Sequence, residues 1–380
     1  MLRVTLLSHG FQSEYEIGFA NSLTRNGVDV LLIGSDNTQT TRAAATLKIL
    51  NLRGSQDSRR PNVAKALNLA RYIVSYLLLL ARSRGRVIHL SGLFNTRISL
   101  ISLIEAWLTR LCAGRYILTV HDVLPHDGDT WWNRWVYRWL YRAPGFFVAH
   151  TWRVAERLTR EFGIAADRIK VIEIGIDRFL APAPALRSQW RMKRQIPATA
   201  VVIMFFGKIM RYKGVDVLLE AFERIGGDER LHLAIVGRCF ESSLLDELQA
   251  HVARHRFAHR IYWENEFIAE AEIPMAMAGA DFVVLPYRHI DQSGVLFQAL
   301  SSGRPLIVTR VGVLAEYVPL AVGETVPPDD VDALADAMAS LTARLPTIAP
   351  ESVVAHAQKY AWESTVQPLL AVYSDRAGDL

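Results

Sequence analysis

Two rhythms of apolar and polar residues alternate along the first half of the chain. Leu2–Ser8, Val28–Ile33, Val87–Leu90, Tyr116–Val120 and Phe146–Ala149 are short, nearly continuous apolar runs. Such runs read as strands buried on both faces. Between them, Ser13 to Arg25 and Val63 to Arg82 follow helical spacing, and Asn26-Gly27 supplies a stop signal after the first. Arg53 to Asn62 is polar, contains Gly54 and Pro61, and predicts a loop. Strand–helix alternation of this kind predicts a parallel sheet covered by helices on both faces.

The rhythm breaks over residues 180–198, where Leu-Ala-Pro-Ala-Pro-Ala runs through a basic cluster to Ile-Pro. Its three prolines predict an interdomain linker over 181–198. A second series of strands follows: Ala200–Phe206, Leu231–Val236, Ile261–Trp263, Phe282–Leu285 and Pro305–Thr309. Val215–Ile225 and Ser293–Ser302 read as helices, and two more close the chain near Asp330–Arg344 and Glu351–Ser374. The expected fold class is α/β, with similar halves over 1–180 and 199–360. Ligands in such sheets bind beyond the carboxyl ends of the strands, so two sheets facing each other would put a site in the cleft between them.

Composition narrows the classes. At 51% hydrophobic and 21% charged, the chain is neither low-complexity nor disordered, and 380 residues are too many for one core. Cys112 and Cys239 lie far apart and are too few for a disulfide framework or a four-cysteine zinc site, which fits a reducing compartment. The first ten residues do not read as a secretory signal. The longest apolar stretch, Tyr72 to Ala81, is half of the roughly 20 residues that a membrane span needs. The expectation is a cytoplasmic protein, soluble or on a membrane surface but not crossing it. Charge is unevenly shared: residues 1–195 carry 28 Lys+Arg and 14 Asp+Glu, whereas residues 196–380 carry 15 and 24. A basic half of this kind suits an anion-rich surface, nucleic acid or anionic lipid.

Two segments of the second half carry candidate chemistry. Phe206-Gly207-Lys208-Ile209-Met210-Arg211-Tyr212-Lys213-Gly214 follows a strand directly. Gly207 allows a close turn, and Lys208 and Lys213 stand where cations meet a phosphate. Ala280 to Tyr287 is a buried strand ending at Pro286, followed by Asp291 in a polar loop and a helix opening at Ser293-Gly294-Val295. A helix start offers free amides and the positive end of its dipole to a diphosphate. Asp291 and Gln298 are placed to contact hydroxyls of one ligand.

With these segments, the chain resembles the retaining glycosyltransferases of family 4, which have the GT-B fold of two Rossmann-like domains. The resemblance runs nearly end to end: Thr119-Val120-His121-Asp122, Ile169 to Asp177, Gly207 to Gly214, Ser293 to Ala299, Gly303-Arg304-Pro305-Leu306-Ile307, Gly312 to Glu316 and Tyr360-Ala361-Trp362-Glu363. It implies that the second half holds a nucleotide-diphospho-sugar and the first half an acceptor, with a C-terminal helix, about 361–380, rejoining the first domain. By resemblance, Lys208 and Lys213 match the residues on the donor phosphates, and His121 matches a position on the transferred sugar, with Asp122 beside it. The implied reaction retains anomeric configuration, the lysines and helix start stabilise the leaving diphosphate, and no enzyme carboxylate nucleophile is required. The chain departs from the family at three places. Gln298 replaces a usual glutamate, Ile290 or Asp291 stands near another, and Gly10-Phe11-Gln12 replaces an acceptor-side Gly-Gly loop. Asp127-Gly128-Asp129 resembles a metal-binding triplet but lies in the first half, so no essential metal or other cofactor is expected.

A last pattern is amphipathic. Over 131–142, Trp131, Trp135 and Trp139 recur every four residues beside Arg134, Arg138 and Arg142. That stripe suits a helix lying among lipid headgroups, and Arg71 to Leu80, followed by further arginines, is a second candidate. The combined expectation is a peripheral enzyme at the inner membrane face with a glycan or lipid-linked acceptor. The base favoured in the donor is uridine, then guanosine. Competing readings are a nucleotide-sugar epimerase of the same fold and a non-catalytic donor-binding subunit. The basic half shows no nucleic-acid module, so no nucleic-acid partner is expected.

Overall fold

The computed structural model describes residues 2–8, 13–38, 40–57, 59–83, 86–93, 99–125, 129–180 and 183–374. The chain divides into two units, Met1–Asp177 with Tyr360–Leu380, and Arg178–Lys359.

The first unit follows the order β1 (Arg3–Leu7), α1 (Ser13–Arg25), β2 (Asp29–Gly34), β3 (Lys48–Asn51), α2 (Asn62–Arg82), β4 (Val87–Leu90), α3 (Ser99–Cys112), β5 (Arg115–Val120), α4 (Trp131–Leu140), β6 (Phe146–Ala149), α5 (Trp152–Phe162) and β7 (Ile169–Val171). Its seven strands are all parallel, in the order β3-β2-β1-β4-β5-β6-β7. The strand order reverses between β1 and β4. One face of the sheet packs on α2, α3, α4 and α5 through Tyr72, Tyr76, Ala106, Leu140 and Leu158. The other face packs on α1.

The second unit runs α6 (Pro184–Lys193), β8 (Val201–Phe206), α7 (Val215–Ile225), β9 (Leu231–Val236), α8 (Ser242–Arg254), β10 (Ile261–Glu264), α9 (Ile273–Gly279), β11 (Phe282–Leu285), α10 (Gly294–Ser301), β12 (Leu306–Thr309), β13 (Gly323–Val326), α11 (Val331–Arg344) and α12 (Pro350–Ala357). Its six strands are parallel, in the order β10-β9-β8-β11-β12-β13, and reverse between β8 and β11. Long apolar runs made these strands legible. The strands β3 and β13 escaped notice because Lys-Ile-Leu-Asn and Gly-Glu-Thr-Val are short and half polar.

The linker expected over 181–198 is corrected: Pro184–Lys193 forms α6, packed on α9 of the second unit. Pro184 stands in the first turn, where a missing amide costs nothing. Trp190 is buried there, and Arg191 donates to the carbonyls of Gly279 (3.0 Å) and Ala200 (2.7 Å) and to Asp281 (2.6 Å).

The single closing helix expected over Glu351–Ser374 is corrected too. It breaks into α12, α13 (Trp362–Thr365) and α14 (Gln367–Ser374). Ile176 and the chain around Ala361 form a bridge, with Ile176 N–H donating to Tyr360 O (2.7 Å) and Trp362 N–H to Ile176 O (3.2 Å). Trp362 is buried in the first unit against Gly18 and Gly175, and Val366 and Leu369 follow it into the same core.

In α4, Val136, Tyr137 and Leu140 face the core, while Trp131, Trp135 and Trp139 are exposed. Tyr137 and Tyr141 are buried with Val136 and Leu140. Arg134 is held by Asp129 (2.5 and 2.7 Å) and Glu161 (3.3 Å), so it does not belong with the exposed Arg138. The helix α2 is longer than the apolar stretch Tyr72–Ala81: its 21 residues are long and apolar enough, by length and composition, to cross a membrane, yet Tyr72, Tyr76 and Leu80 pack in the core of the first unit.

A Cβ added at Gly175 would lie 2.2 Å from Trp362 Cδ2. Gly175→Ala should therefore lower unfolding free energy by about 1–3 kcal/mol, measured by chemical denaturation, because a buried indole has no room to retreat.

Candidate active site

In the second unit, the loops after β8 and β11 diverge at the point where strand order reverses, the usual crevice of such a sheet. The strand β8 ends at Gly207, whose φ of +108° few residues but glycine adopt. Lys208 follows, exposed, and a short turn of Arg211–Lys213 leads to Gly214. Gly214 has φ +65°, and a Cβ there would stand 2.1 Å from Pro286 O. Only glycine lets this turn sit on the end of β11.

The turn carries Lys213 inward, and the side chain is only 8% exposed. Its Nζ lies 5.0 Å from the Tyr287 ring centre. A Cβ placed on Gly207 would be 3.6 Å from that Nζ and 3.2 Å from Val295 of α10. The β8 turn, the ammonium and the first turn of α10 therefore converge. Among the described residues no carboxylate pairs with Lys213 or Lys208. Burial, aided by the nearby charge of Lys208, pushes the Lys213 ammonium down to about 8.

The basic residues extend further than the sequence suggested. Lys208 Nζ lies 5.7 Å from the Phe240 ring centre, and the Arg238 guanidinium lies 5.2 Å from the same ring. Ile209 N–H donates to Arg238 O (2.9 Å), which fixes the β9 loop beside the β8 loop. The signal for Arg238 was the same as for Lys208, a glycine and a cation directly after a buried strand.

The helix α10 begins at Ser293, whose hydroxyl makes no capping bond. Gly294 is exposed, with open space around its Cβ position, so the first amides of α10 are approachable. Gln298 comes one turn later on the same face, half-buried. Asp291 lies in the preceding loop, half-buried, and its carbonyl accepts from Val313 N–H (3.3 Å).

Arg288, which sequence reasoning missed, holds the loop after β11 to the turn after β8. It donates to Arg211 O (2.7 Å), to both Asp216 oxygens (2.9 and 2.7 Å) and to Asp329 (2.6 Å), while its own N–H donates to Tyr212 O (2.7 Å). Burial favours the neutral form of Asp216, but the bonds and charge of Arg288 outweigh it and hold the carboxyl below its ordinary range. Nothing local marked Arg288, because its partners lie up to 77 residues away.

In the first unit, His121 stands at the end of β5. Its Nε2–H donates to Ser91 O (2.7 Å), which fixes the tautomer. The ring meets Tyr15 edge-on at 5.0 Å and His150 at 5.0 Å. His150, at the end of β6, donates from Nδ1 to Ile172 O (2.9 Å) and accepts the Tyr15 hydroxyl at Nε2 (3.0 Å). His89 is fully buried between Tyr373 of α14 (2.5 Å) and Thr119 (2.7 Å). Burial, with a smaller push from His121, drives its pKa to about 3, so it is neutral. Only His121 of this set was singled out from sequence. Asp122 is exposed beside it, and Gly10 and Phe11 lie outside the described residues. Among the described residues, no three His, Cys, Asp or Glu side chains gather to hold a metal ion. Asp127 and Gly128 are also outside them, and Asp129 is bonded to Arg134.

Comparison with known proteins follows the same division. The "Glycosyltransferase Family 4" profile matches residues 15–202, and the "Glycosyl transferases group 1" profile matches residues 200–344. The chain is similar to the D-inositol 3-phosphate glycosyltransferase of Corynebacterium aurimucosum, 26% identical over 68% of this chain and 63% of that one. It is similar to that of Segniliparus rotundus, 30% identical over 60% of this chain and 51% of that one. A mannosylfructose-phosphate synthase of Agrobacterium fabrum is 26% identical over 46% of this chain and 40% of its own. The matched stretch thus spans less than two thirds of each of these relatives. Among solved structures, Anabaena Alr3699/HepE in complex with UDP-glucose superposes with a TM-score of 0.74 at 18% identity, covering 98% of this chain and all of that one. WaaG, a glycosyltransferase involved in lipopolysaccharide biosynthesis, gives 0.65 at 15% identity and covers both chains fully. At such identities the likeness shows the fold, GT-B with two Rossmann-like domains.

Replacing Arg288 by Gln should lower stability by about 1–2 kcal/mol, the worth of screened charge-assisted bonds, as read by thermal unfolding. The acid limb of unfolding should move up in pH, because Asp216 loses the partner that depresses its pKa and with it the stability held above that pKa.

Proposed function

Since the chain belongs to glycosyltransferase family 4, we propose that it moves a sugar from a nucleotide-diphospho-sugar to a hydroxyl of a glycan or lipid-linked acceptor, with retention of anomeric configuration. The observation that carries this reading is the buried Lys213 ammonium, with no carboxylate partner among the described residues, between Gly207 and the start of α10. A buried cation beside a second cation is costly unless an anion arrives. A diphosphate brings two charged groups, one for each lysine, and its oxygens suit the amides at the start of α10. UDP-sugars are the favoured donors and GDP-sugars the second choice. The solved likeness to a protein holding UDP-glucose supports the first.

In this reading, the bond between the anomeric carbon and the diphosphate oxygen breaks, and negative charge grows on the leaving group. Lys208, Lys213 and the α10 amides stabilise that charge, and the buried Lys213 does so with little reorganisation. The acceptor oxygen then bonds the same face of the sugar, and its proton goes to the departing diphosphate. Gln298 and Asp291 hold hydroxyls of the donor. Gln298 does so without the charge a glutamate would bring. The first unit takes the acceptor, with His121 and Asp122 at the transferred sugar. The Ser91 carbonyl fixes the ring of His121, and Tyr15 and His150 pack against it. The chemistry proposed needs no metal, and turnover should survive EDTA. Loss restored by Mn would overturn that point.

Lys213→Met should raise the nucleotide Kd about 10- to 150-fold, the worth of a charged hydrogen bond. Without ligand it should unfold no earlier than the native protein, because it removes an unpaired buried charge. Calorimetry and thermal shift read the two effects. In the native protein, nucleotide affinity should fall about tenfold per pH unit above about 8, where the free ammonium loses its proton. Lys213→Met should flatten that limb. Purified protein given UDP-sugar with and without acceptor separates transfer from its alternatives. Turnover without acceptor would indicate an epimerase, and binding without turnover a donor-binding subunit.

A further inference from the structure

The outer surface of α2, α3 and α4 is built the wrong way round for a helix facing water. These helices lie side by side on one face of the first sheet, with α3 packed against both α2 and α4. A surface helix usually turns one apolar stripe inward and polar residues outward. In α2, Tyr72, Tyr76 and Leu80 do face the sheet. Yet Val63, Leu67, Val74 and Leu78, also at helical spacing, are exposed, and only 17% of its apolar window is buried. The helix α3 adds exposed Ile104, Trp107 and Leu111. The helix α4 adds Trp131, Trp135 and Trp139, of which Trp131 is 77% exposed. Three neighbouring helices thus present one apolar and aromatic surface, well beyond the scattered apolar residues normal for a protein exterior.

The exposed charge carried by the three helices themselves has one sign. Lys65, Arg71, Arg82, Arg110 and Arg138 are exposed on the three helices, and Arg142 follows α4, stacked 4.5 Å from the Trp139 ring. The one acidic residue in the three helices, Glu105, is buried and bonded to Arg53 and Tyr72. A second copy of this chain docking through the same face would set the cations of these helices against each other, with no exposed carboxylate on the three helices to pair them. A membrane-spanning role for α2 is incompatible with its tyrosine edge lying in the core of the sheet.

We propose that the α2–α3–α4 face docks on an anionic lipid bilayer, with the tryptophans and leucines in the headgroup boundary and the arginines on lipid phosphates. Tryptophan suits that boundary because one end of its ring is apolar and the other donates a hydrogen bond. The cytoplasmic leaflet, negative at its surface, is the one that matches. The helix α4 alone would be a small anchor. With α2 and α3 it becomes a broad plane, which sets the orientation of the first unit on the membrane as well as its affinity.

The test uses the full chain without nucleotide, so its result stands apart from the donor reading. Sedimentation with phosphatidylcholine vesicles containing phosphatidylglycerol should pull the protein down, and neutral phosphatidylcholine vesicles should retain much less. Brominated acyl chains should quench tryptophan emission. The pair Trp135→Ala and Trp139→Ala should weaken binding about tenfold or more, as should the α2 pair Leu67→Gln and Leu78→Gln. Arg138→Gln should weaken it about fivefold. All these positions are exposed, so circular dichroism and nucleotide affinity should stay at native values. No sedimentation with the anionic vesicles, or binding unchanged by the α2 pair, would overturn the proposal. So would a soluble dimer, seen by light scattering, that the same substitutions dissolve.

Discussion

A positive charge held out of water without a counter-charge is a standing cost, and the second unit is arranged around one. Lys213 is buried beside Lys208 and has no carboxylate among the described residues. Left to itself, a lysine on a short turn would swing into solvent. Here Gly214 seats the turn on Pro286 O, and Arg288 ties the Arg211 and Tyr212 carbonyls just before the lysine to the loop that precedes α10. In the proposed reading, the ammonium is kept where an arriving diphosphate recovers its lost solvation.

The first unit solves a different problem with the same sheet plan. Its strand ends carry hydrogen-bonded aromatics rather than bare cations. His121, His150 and His89 each have a ring nitrogen bonded to a carbonyl or hydroxyl of the unit. Such a network is worth its burial only if every member is satisfied. The C-terminal segment completes it, because Tyr373 reaches His89 and Trp362 fills the space left by Gly18 and Gly175. The last turns of the chain belong to the same core as the first strand.

The outward side of α2, α3 and α4 shows how strongly burial depends on what lies outside. The hydrophobic effect acts on any apolar area removed from water, whether a sheet or a lipid headgroup layer removes it. Both sides of α2 are apolar, and only one meets protein.

Much was legible in the residues alone. Strands such as Val87–Leu90 and Leu231–Val236 were bounded correctly, because a continuous apolar run flanked by glycine or charge is a local signal. Gly207, Lys208, Lys213 and the start of α10 were likewise named from glycine and lysine placed after buried strands. Other features were decided only by folding. Pro184–Lys193 is a helix because Trp190 and Arg191 find partners on α9 and beyond, not because of its own composition. Arg288 and His150 matter through neighbours distant in the chain. The burial of the Lys213 ammonium and the exposure of the Trp131 ring depend on which surfaces meet. Periodicity is a property of adjacent residues and survives in the sequence, whereas desolvation belongs to the assembled surface and exists only once the chain has closed around it.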